Sequence, residues 1–298
     1  MENIIECKNL THYYGKRLIY KDLSFNVPKG RILGLLGKNG TGKTTTINIL
    51  SGFLKPREGN CYIFGEDIQT MQPALRQNIG LLIEGHVQYT FMNIEEIERY
   101  YAAFYPNWNR AAYYELMSKL KIAPKQKISR MSCGQRSQVA LGLILAQNPE
   151  LLVLDDFSLG LDPGYRRLFI EYLYDFAKSE GKTIFLTSHI IQDMERLVDD
   201  CIIMDYGKIL TQQPVADLMN NFKRYTLTSD HAEAIKAMLE GNDLIYNPAT
   251  RRDQLEFYSF ADQREVTEML ASMQLPAQQF HGETMNLEDI FIGLTGKY

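Results

Sequence analysis

Hydrophobic residues follow two rhythms along the 298 residues of this chain. One is a set of short, continuous apolar runs closed by polar or glycine-rich residues. Arg31-Ile32-Leu33-Gly34-Leu35-Leu36, Ile79-Gly80-Leu81-Leu82-Ile83, Leu151-Leu152-Val153-Leu154 and Thr183-Ile184-Phe185-Leu186-Thr187 read as strands buried on both faces. The other rhythm is helical and falls on residues 94–105, 109–121, 136–147 and 164–179. Asn93-Ile94-Glu95-Glu96 supplies an N-cap and a third-position glutamate for the first of these helices, and Pro106-Asn107 separates it from the second. Residues 3–36 read as short strands with a hairpin pattern, in which Ser24-Phe25-Asn26-Val27 alternates before a turn at Pro28-Lys29-Gly30. Residues 201–210 predict one more hairpin, turning at Tyr206-Gly207. Buried strands alternating with helices predict an α/β fold.

Past residue 220 the order changes. Strand 224–229, helix 231–239, strand 243–247, strand 253–259, helix 262–273 and strand 277–281 give βαββαβ, the pattern of a small ferredoxin-like domain. A final helix is expected from Asn286.

The chemistry concentrates where apolar runs end. After the first run stands Gly37-Lys38-Asn39-Gly40-Thr41-Gly42-Lys43-Thr44, a G-x-x-x-x-G-K-T phosphate-binding loop, followed by the helical start Thr45-Thr46-Ile47-Asn48-Ile49-Leu50. Glycines there let backbone N–H groups converge on phosphates, and the helix N-terminus adds partial positive charge. Lys43 is placed to reach the β- and γ-phosphates and Thr44 to offer a hydroxyl to Mg²⁺. The Leu151–Leu154 run delivers Asp155 and Asp156, and Asp155 is expected to hold Mg²⁺. The Thr183–Thr187 run ends at Ser188-His189. Ser132, ahead of helix 136–147, is placed as an N-cap, and that helix end is also an anion site. Tyr13-Tyr14-Gly15 precedes the phosphate loop; an aromatic there can stack on adenine, worth roughly 1–3 kcal/mol. The aromatic group Tyr100, Tyr101, Phe104, Tyr105, Trp108, Tyr113 and Tyr114 reads chiefly as packing inside a helical lobe, with some members available for docking.

Composition narrows the class. A net charge of −4 and a pI near 5.8 give no general drive toward nucleic acid or anionic lipid. Cys7, Cys61, Cys133 and Cys201 form no C-x-x-C pair, which disfavours a zinc site or disulfide framework and favours reduced thiols. The apolar stretch 139–146 is far short of the ~20 residues that span a bilayer. Met1-Glu2-Asn3 carries neither the basic nor the apolar region of a secretory leader, so a chain without membrane spans is expected.

Taken in order, these motifs resemble the ATP-binding subunit of an ATP-binding-cassette (ABC) transporter over residues 3–220. The matching elements are the phosphate loop at 37–44, a signature at 131–135, the Walker B strand at 151–156, an aspartate loop at 160–162 and a switch histidine at 189. The resemblance implies a P-loop cassette, with a RecA-like lobe, an antiparallel β subdomain and a helical lobe near 85–150. Domain 1–220 would be this cassette, and 221–298 a C-terminal α+β accessory domain. It implies ATP and Mg²⁺ as cofactors. Tyr14, Gly37, Lys38, Asn39, Gly40, Thr41, Gly42, Lys43, Thr44 and Thr45 would bind the nucleotide. Two cassettes would sandwich ATP, so that Ser132, Gly134 and Gln135 touch the γ-phosphate on the partner and Asp162 signals across the interface. Thr44, Glu84 and Asp155 would serve the metal, while Lys43, Asp156 and His189 would be catalytic.

Three departures from the family pattern stand out: Asp156 replaces the catalytic glutamate, Cys133 replaces the first signature glycine, and Glu84 replaces a glutamine. Aspartate is about 1.5 Å shorter than glutamate, and a misplacement of roughly 1 Å costs on the order of 100-fold in rate; slow hydrolysis is therefore expected. Leu82-Ile83-Glu84 and the tail Leu287-Glu288-Asp289-Ile290-Phe291 resemble bacterial exporter cassettes of the bacitracin-resistance kind. The expectation is a cytoplasmic ATPase, peripheral on the membrane through a separate transmembrane permease, working as a homodimer or with a sister cassette, and without nucleic acid. The alternative is a slow nucleotide-dependent switch.

Overall fold

The computed structural model describes residues 2–83, 89–119, 123, 125–158, 161–275 and 280–296. Two long strands, β1 (Asn3–Tyr14) and β2 (Arg17–Pro28), open the chain as a hairpin; each is 12 residues, longer than the short strands expected. Their length follows from register shifts that let both strands bend while pairing continues from end to end. The buried strand β3 (Ile32–Gly37) leads into helix α1 (Lys43–Leu50). Then follow β4 (Glu58–Ile63), β5 (Glu66–Asp67), the short α2 (Pro73–Arg76) and β6 (Ile79–Leu82).

Helices α3 (Ile94–Ala102), α4 (Arg110–Lys119) and α5 (Cys133–Ala146) form the helical lobe. Helix α5 begins three residues earlier than its apolar periodicity suggests. A capping box, in which Ser132 Oγ accepts from Gln135 N–H and Gln135 Oε1 accepts from Ser132 N–H, starts it at Cys133. Of the aromatic residues here, Tyr113 is fully buried, while Tyr100 and Phe104 remain exposed. The buried Glu98 carboxylate ties α3 to α4 by accepting from Trp108 Nε1 at 2.8 Å and from Arg110.

The chain continues through β7 (Leu151–Leu154), α6 (Pro163–Glu180), β8 (Thr183–Thr187), α7 (Ile191–Leu197), β9 (Asp200–Asp205), β10 (Lys208–Pro214) and α8 (Val215–Asn221). The last segment comprises β11 (Lys223–Thr228), α9 (Ala232–Leu239), β12 (Tyr246–Arg251), β13 (Gln254–Ser259), α10 (Gln263–Ser272), β14 (Phe280–Glu283) and α11 (Leu287–Thr295). Strand β12 starts later than expected. Asn242 accepts from Leu244 N–H with its side chain and from Ile245 N–H with its carbonyl, holding 242–245 in a turn.

Three sheets form among the described residues. The antiparallel sheet has order β2-β1-β4-β5. The central sheet has order β10-β9-β3-β8-β7-β6, and all neighbours from β9 to β6 are parallel. The third has order β12-β13-β11-β14 and is antiparallel throughout, the arrangement of a split βαββαβ unit. Helix α11 packs against that third sheet and against the larger unit at once. Its Leu287, Ile290 and Leu294 join the same buried cluster as Met194, Leu197, Leu218 and Phe222 of the larger unit.

Phe222 is the hinge of that packing. It is fully buried and its ring lies 4.6 Å from Phe260, 5.5 Å from Tyr246 and 6.1 Å from Tyr258. Phe222→Ala leaves a cavity between α8, α11 and the third sheet, and is expected to cost about 3–5 kcal/mol. Urea unfolding of the full chain checks this; an unchanged midpoint contradicts the packing described.

Candidate nucleotide-binding site

Parallel strands place ligands at their C-terminal edge. Here β3, β7 and β8 end around one cleft of about 330 Å³, lined among others by Tyr14, Asn39, Gly40, Gly42, Lys43, Thr44, Thr45, Asp155, Asp156 and His189. Residues far apart in the sequence meet there because their strands are neighbours in the sheet.

The phosphate loop is shaped by glycine. Gly42 has φ +106°, and a Cβ at that position would lie 2.8 Å from the Tyr20 ring. Only glycine adopts this turn and lets the Tyr20 side chain pass so close. Gly42 is the N-cap of α1 and provides no side-chain cap, and the first turn has no acidic residue. Helices α3, α5, α6, α10 and α11 are instead capped by Asn93, Ser132, Asp162, Asp262 and Asn286. The positive end of α1 therefore meets no protein carboxylate in its own first turn, the arrangement that suits an anionic ligand.

Lys43 is buried at 8% exposure, and its Nζ donates to the carbonyls of Gly37 at 2.7 Å and Lys38 at 3.1 Å. Burial pushes its pKa down, opposed by the negative charges of Asp156 and Asp155. A phosphate adds further negative charge where burial disfavours the bare ammonium. Tyr14 ends β1 half-exposed, with His12 edge-on to its ring at 5.0 Å, so one face is available at the rim of the cleft.

Asp155 and Asp156 are organised by one hydroxyl. Thr187 Oγ1 donates to Asp155 Oδ1 at 2.6 Å and accepts from Asp156 N–H at 3.1 Å. Asp156 adopts φ +50°, a left-handed conformation unusual outside glycine. Its carboxylate is turned onto the switch segment: Oδ1 accepts from His189 N–H at 3.1 Å, and Oδ2 lies 2.8 Å from His189 Nε2. Asp156 Oδ2 is buried and accepts no hydrogen bond, and His189 Nε2 is in close electrostatic contact with it.

No group of three or more His, Cys, Asp or Glu side chains among the described residues is arranged to hold a metal. That donor set still fits magnesium, which takes one or two protein oxygens and fills its octahedron with water and phosphate oxygens. The Thr44 hydroxyl and Asp155 carboxylate line the same cleft and are the protein oxygens that would hold it. Glu84, the third residue expected at the metal, lies outside the described residues, as does Gly160 of the aspartate loop.

Several expected residues stand apart from the cleft. Ser132, Gly134 and Gln135 sit at the start of α5, and Asp162 caps α6 by accepting from Gly164 and Tyr165 N–H groups. Gly37, Lys38 and Thr41 belong to the loop but do not line the cleft: Thr41 Oγ1 donates to the Lys38 carbonyl at 2.9 Å, and Lys38 turns its side chain away. Sequence reasoning missed four lining residues, Arg17, Ile19, Thr187 and Ser188. Thr187 was legible as the polar end of a buried strand beside Ser188-His189. Arg17 and Ile19 reach the cleft through the β1–β2 hairpin, whose pattern in the sequence does not say where it packs.

A phosphate loop, two strand-end carboxylates and a strand-end histidine define a P-loop nucleotide hydrolase. Residues 20–158 match the family described as ABC transporter. The chain is 30% identical to the Nod factor export ATP-binding protein I of Burkholderia orbicola, over 98% of this chain and 97% of that protein. It is 29% identical to the bacitracin transport ATP-binding protein BcrA of Bacillus licheniformis, over 99% of this chain and 98% of that protein. A solved structure of an ATP-binding subunit of an ABC transporter superposes with a TM-score of 0.65 at 27% identity, covering 73% of this chain and 92% of that one. The chain belongs to the ATP-binding subunits of ABC transporters, as the sequence motifs led one to expect, and shares their cassette fold.

Thr187→Val keeps the shape of the side chain but strips Asp155 of a donor and Asp156 N–H of an acceptor. The loss is expected to cost about 1–3 kcal/mol of stability and to lower the hydrolysis rate more than the affinity for ATP. Chemical denaturation with single-turnover assays tests this; a parental rate would show that Thr187 does not organise the carboxylates.

Proposed function

We propose that this chain is a motor subunit that binds ATP with Mg²⁺, pairs with a second cassette, and hydrolyses ATP slowly to drive a separate transmembrane permease, in the export direction. The observation that carries this reading is the cleft itself, where Lys43, Asp155, Asp156 and His189 converge on the uncapped end of α1.

The steps follow from the residues. The N–H groups of the loop and α1, with Lys43, take the triphosphate, while Tyr14 stacks on the base. Thr44 and Asp155 would hold magnesium, which when bound would supply positive charge against the phosphates. Asp156 is the acceptor for a proton from the attacking water, and His189 donates to Asp156 and fixes where its carboxylate points. The second cassette supplies Ser132, Gly134, Gln135 and Asp162, which in this chain lie outside the cleft at the starts of α5 and α6. Whether that second cassette is another copy or a sister chain, its signature residues complete the site.

Slow turnover is supported by the reach of Asp156 and by its engagement with His189 at 2.8 Å. Export is supported by the names of the relatives, which are transport and export ATP-binding proteins. A peripheral position on the inner membrane face follows from pairing with a permease; no helix among the described residues is long and apolar enough to cross a membrane. The switch reading, ATP binding with little hydrolysis, has less support, because the similar proteins are transport and export ATP-binding proteins. We assign residues 221–298 to an accessory domain on a cassette of residues 1–220, with the qualification that α11 packs into the cassette.

Asp156→Glu restores the missing reach. It is expected to raise the single-turnover rate by on the order of 100-fold with little change in ATP affinity. Specific activity of either form should climb with chain concentration as paired sites form. An unchanged rate in Asp156→Glu contradicts the account of slow turnover, and concentration-independent activity contradicts pairing of this chain with a second copy of itself.

A further inference from the structure

Helix α11 ends on the phosphate loop. The carbonyl of Thr295, in its last turn, accepts from Lys38 Nζ at 2.6 Å in a buried contact. A buried ammonium needs acceptors, and a helix C-terminus supplies unpaired carbonyls with partial negative charge. The backbone of the same lysine is a hub of the loop: its carbonyl accepts from Lys43 Nζ at 3.1 Å and Thr41 Oγ1 at 2.9 Å. One residue therefore joins the end of α11 to the lysine that faces the phosphates.

The other end of α11 rests on the switch side. Leu287 N–H donates to Glu195 Oε2 at 2.8 Å, and Gln192 pairs with Glu288. Both acceptor and donor belong to α7, which begins two residues after His189. From the third sheet, Asn247 Nδ2 donates to the carbonyls of Gly293 at 2.7 Å and Leu294 at 3.2 Å. Helix α11 thus touches the phosphate loop, the segment after the switch histidine, and the C-terminal sheet at once.

We infer that α11 is a brace that holds the phosphate loop in its binding shape through Lys38, so that the seating of the C-terminal sheet on the cassette sets nucleotide affinity. Lys38 is a positioning residue: it acts on the nucleotide through the loop and does not line the cleft. The inference rests on the nucleotide reading of that cleft. Coupling of this kind is reciprocal, so nucleotide that orders the loop also protects α11.

The test uses the full chain and four variants: Lys38→Met, Lys38→Arg, Asn247→Asp and the double Lys38→Met/Asn247→Asp. Asn247→Asp removes the donor and sets a carboxylate against the helix carbonyls from an element remote from the loop. ATP affinity is measured by titration, and amide exchange across residues 287–295 is followed with and without ATP and Mg²⁺. Lys38→Met and Asn247→Asp should each weaken ATP binding by about tenfold and speed exchange in α11, and ATP should slow that exchange in the parent. Lys38→Arg keeps the charged donor and should stay near the parent. The double variant should bind no worse than the weaker single variant, because both act through one helix. Losses that multiply in the double variant, or α11 exchange untouched by Lys38→Met, overturn the brace while leaving the nucleotide site standing. A parent chain that binds no ATP overturns the reading of the cleft instead, and the coupling with it. If Lys38→Met does not fold, Asn247→Asp carries the same comparison of affinity and exchange.

Discussion

A helix N-terminus that lacks an internal partner is the constraint on which this structure depends. Helix α1 starts at a glycine with φ +106° and has neither a capping side chain nor an acidic residue in its first turn. Left unmatched, those N–H groups are a cost, and the fold arranges its surroundings so that an anion can meet them. The parallel sheet brings β3 beside β8, and β8 beside β7, so the carboxylates after β7 and the histidine after β8 face the same spot. Asp155 and Asp156 face Lys43 across the cleft, and Thr187 and His189 contact their carboxylates.

The same arrangement fixes the carboxylate after β7 in one position. Asp156 Oδ1 accepts from His189 N–H, Oδ2 lies 2.8 Å from His189 Nε2, the Asp156 N–H is bound by Thr187, and the backbone is left-handed. A shorter side chain in such a fixed position cannot recover reach by rotating. The segment after β8 is also the one on which α11 rests, through Gln192 and Glu195.

Much of this was legible before any coordinates. Apolar runs ending in glycines or carboxylates marked β3, β7 and β8, since a strand buried on both faces leaves little freedom in its composition. Ser132 and Asn93 announced the starts of α5 and α3 through capping chemistry, which is local. The βαββαβ order beyond residue 220 also emerged, with strand ends displaced where Asn242 stabilises a turn. What stayed hidden depends on distant packing. Nothing near Lys38 says that its side chain leaves the cleft for Thr295, and nothing near Arg17 or Ile19 says that a hairpin carries them to it. The conformation of Asp156 was equally invisible, because it is imposed by Thr187 and His189 from the neighbouring strand.

The most direct measurement is equilibrium binding of ATP, with Mg²⁺, to the full chain beside its Lys43→Ala variant, read by calorimetry, with circular dichroism confirming that both are folded. The account predicts saturable binding of one nucleotide per chain in the parent and its loss in the folded variant. Equal affinity in the two proteins would mean that the cleft at the start of α1 is not where the nucleotide is held, and would contradict the account.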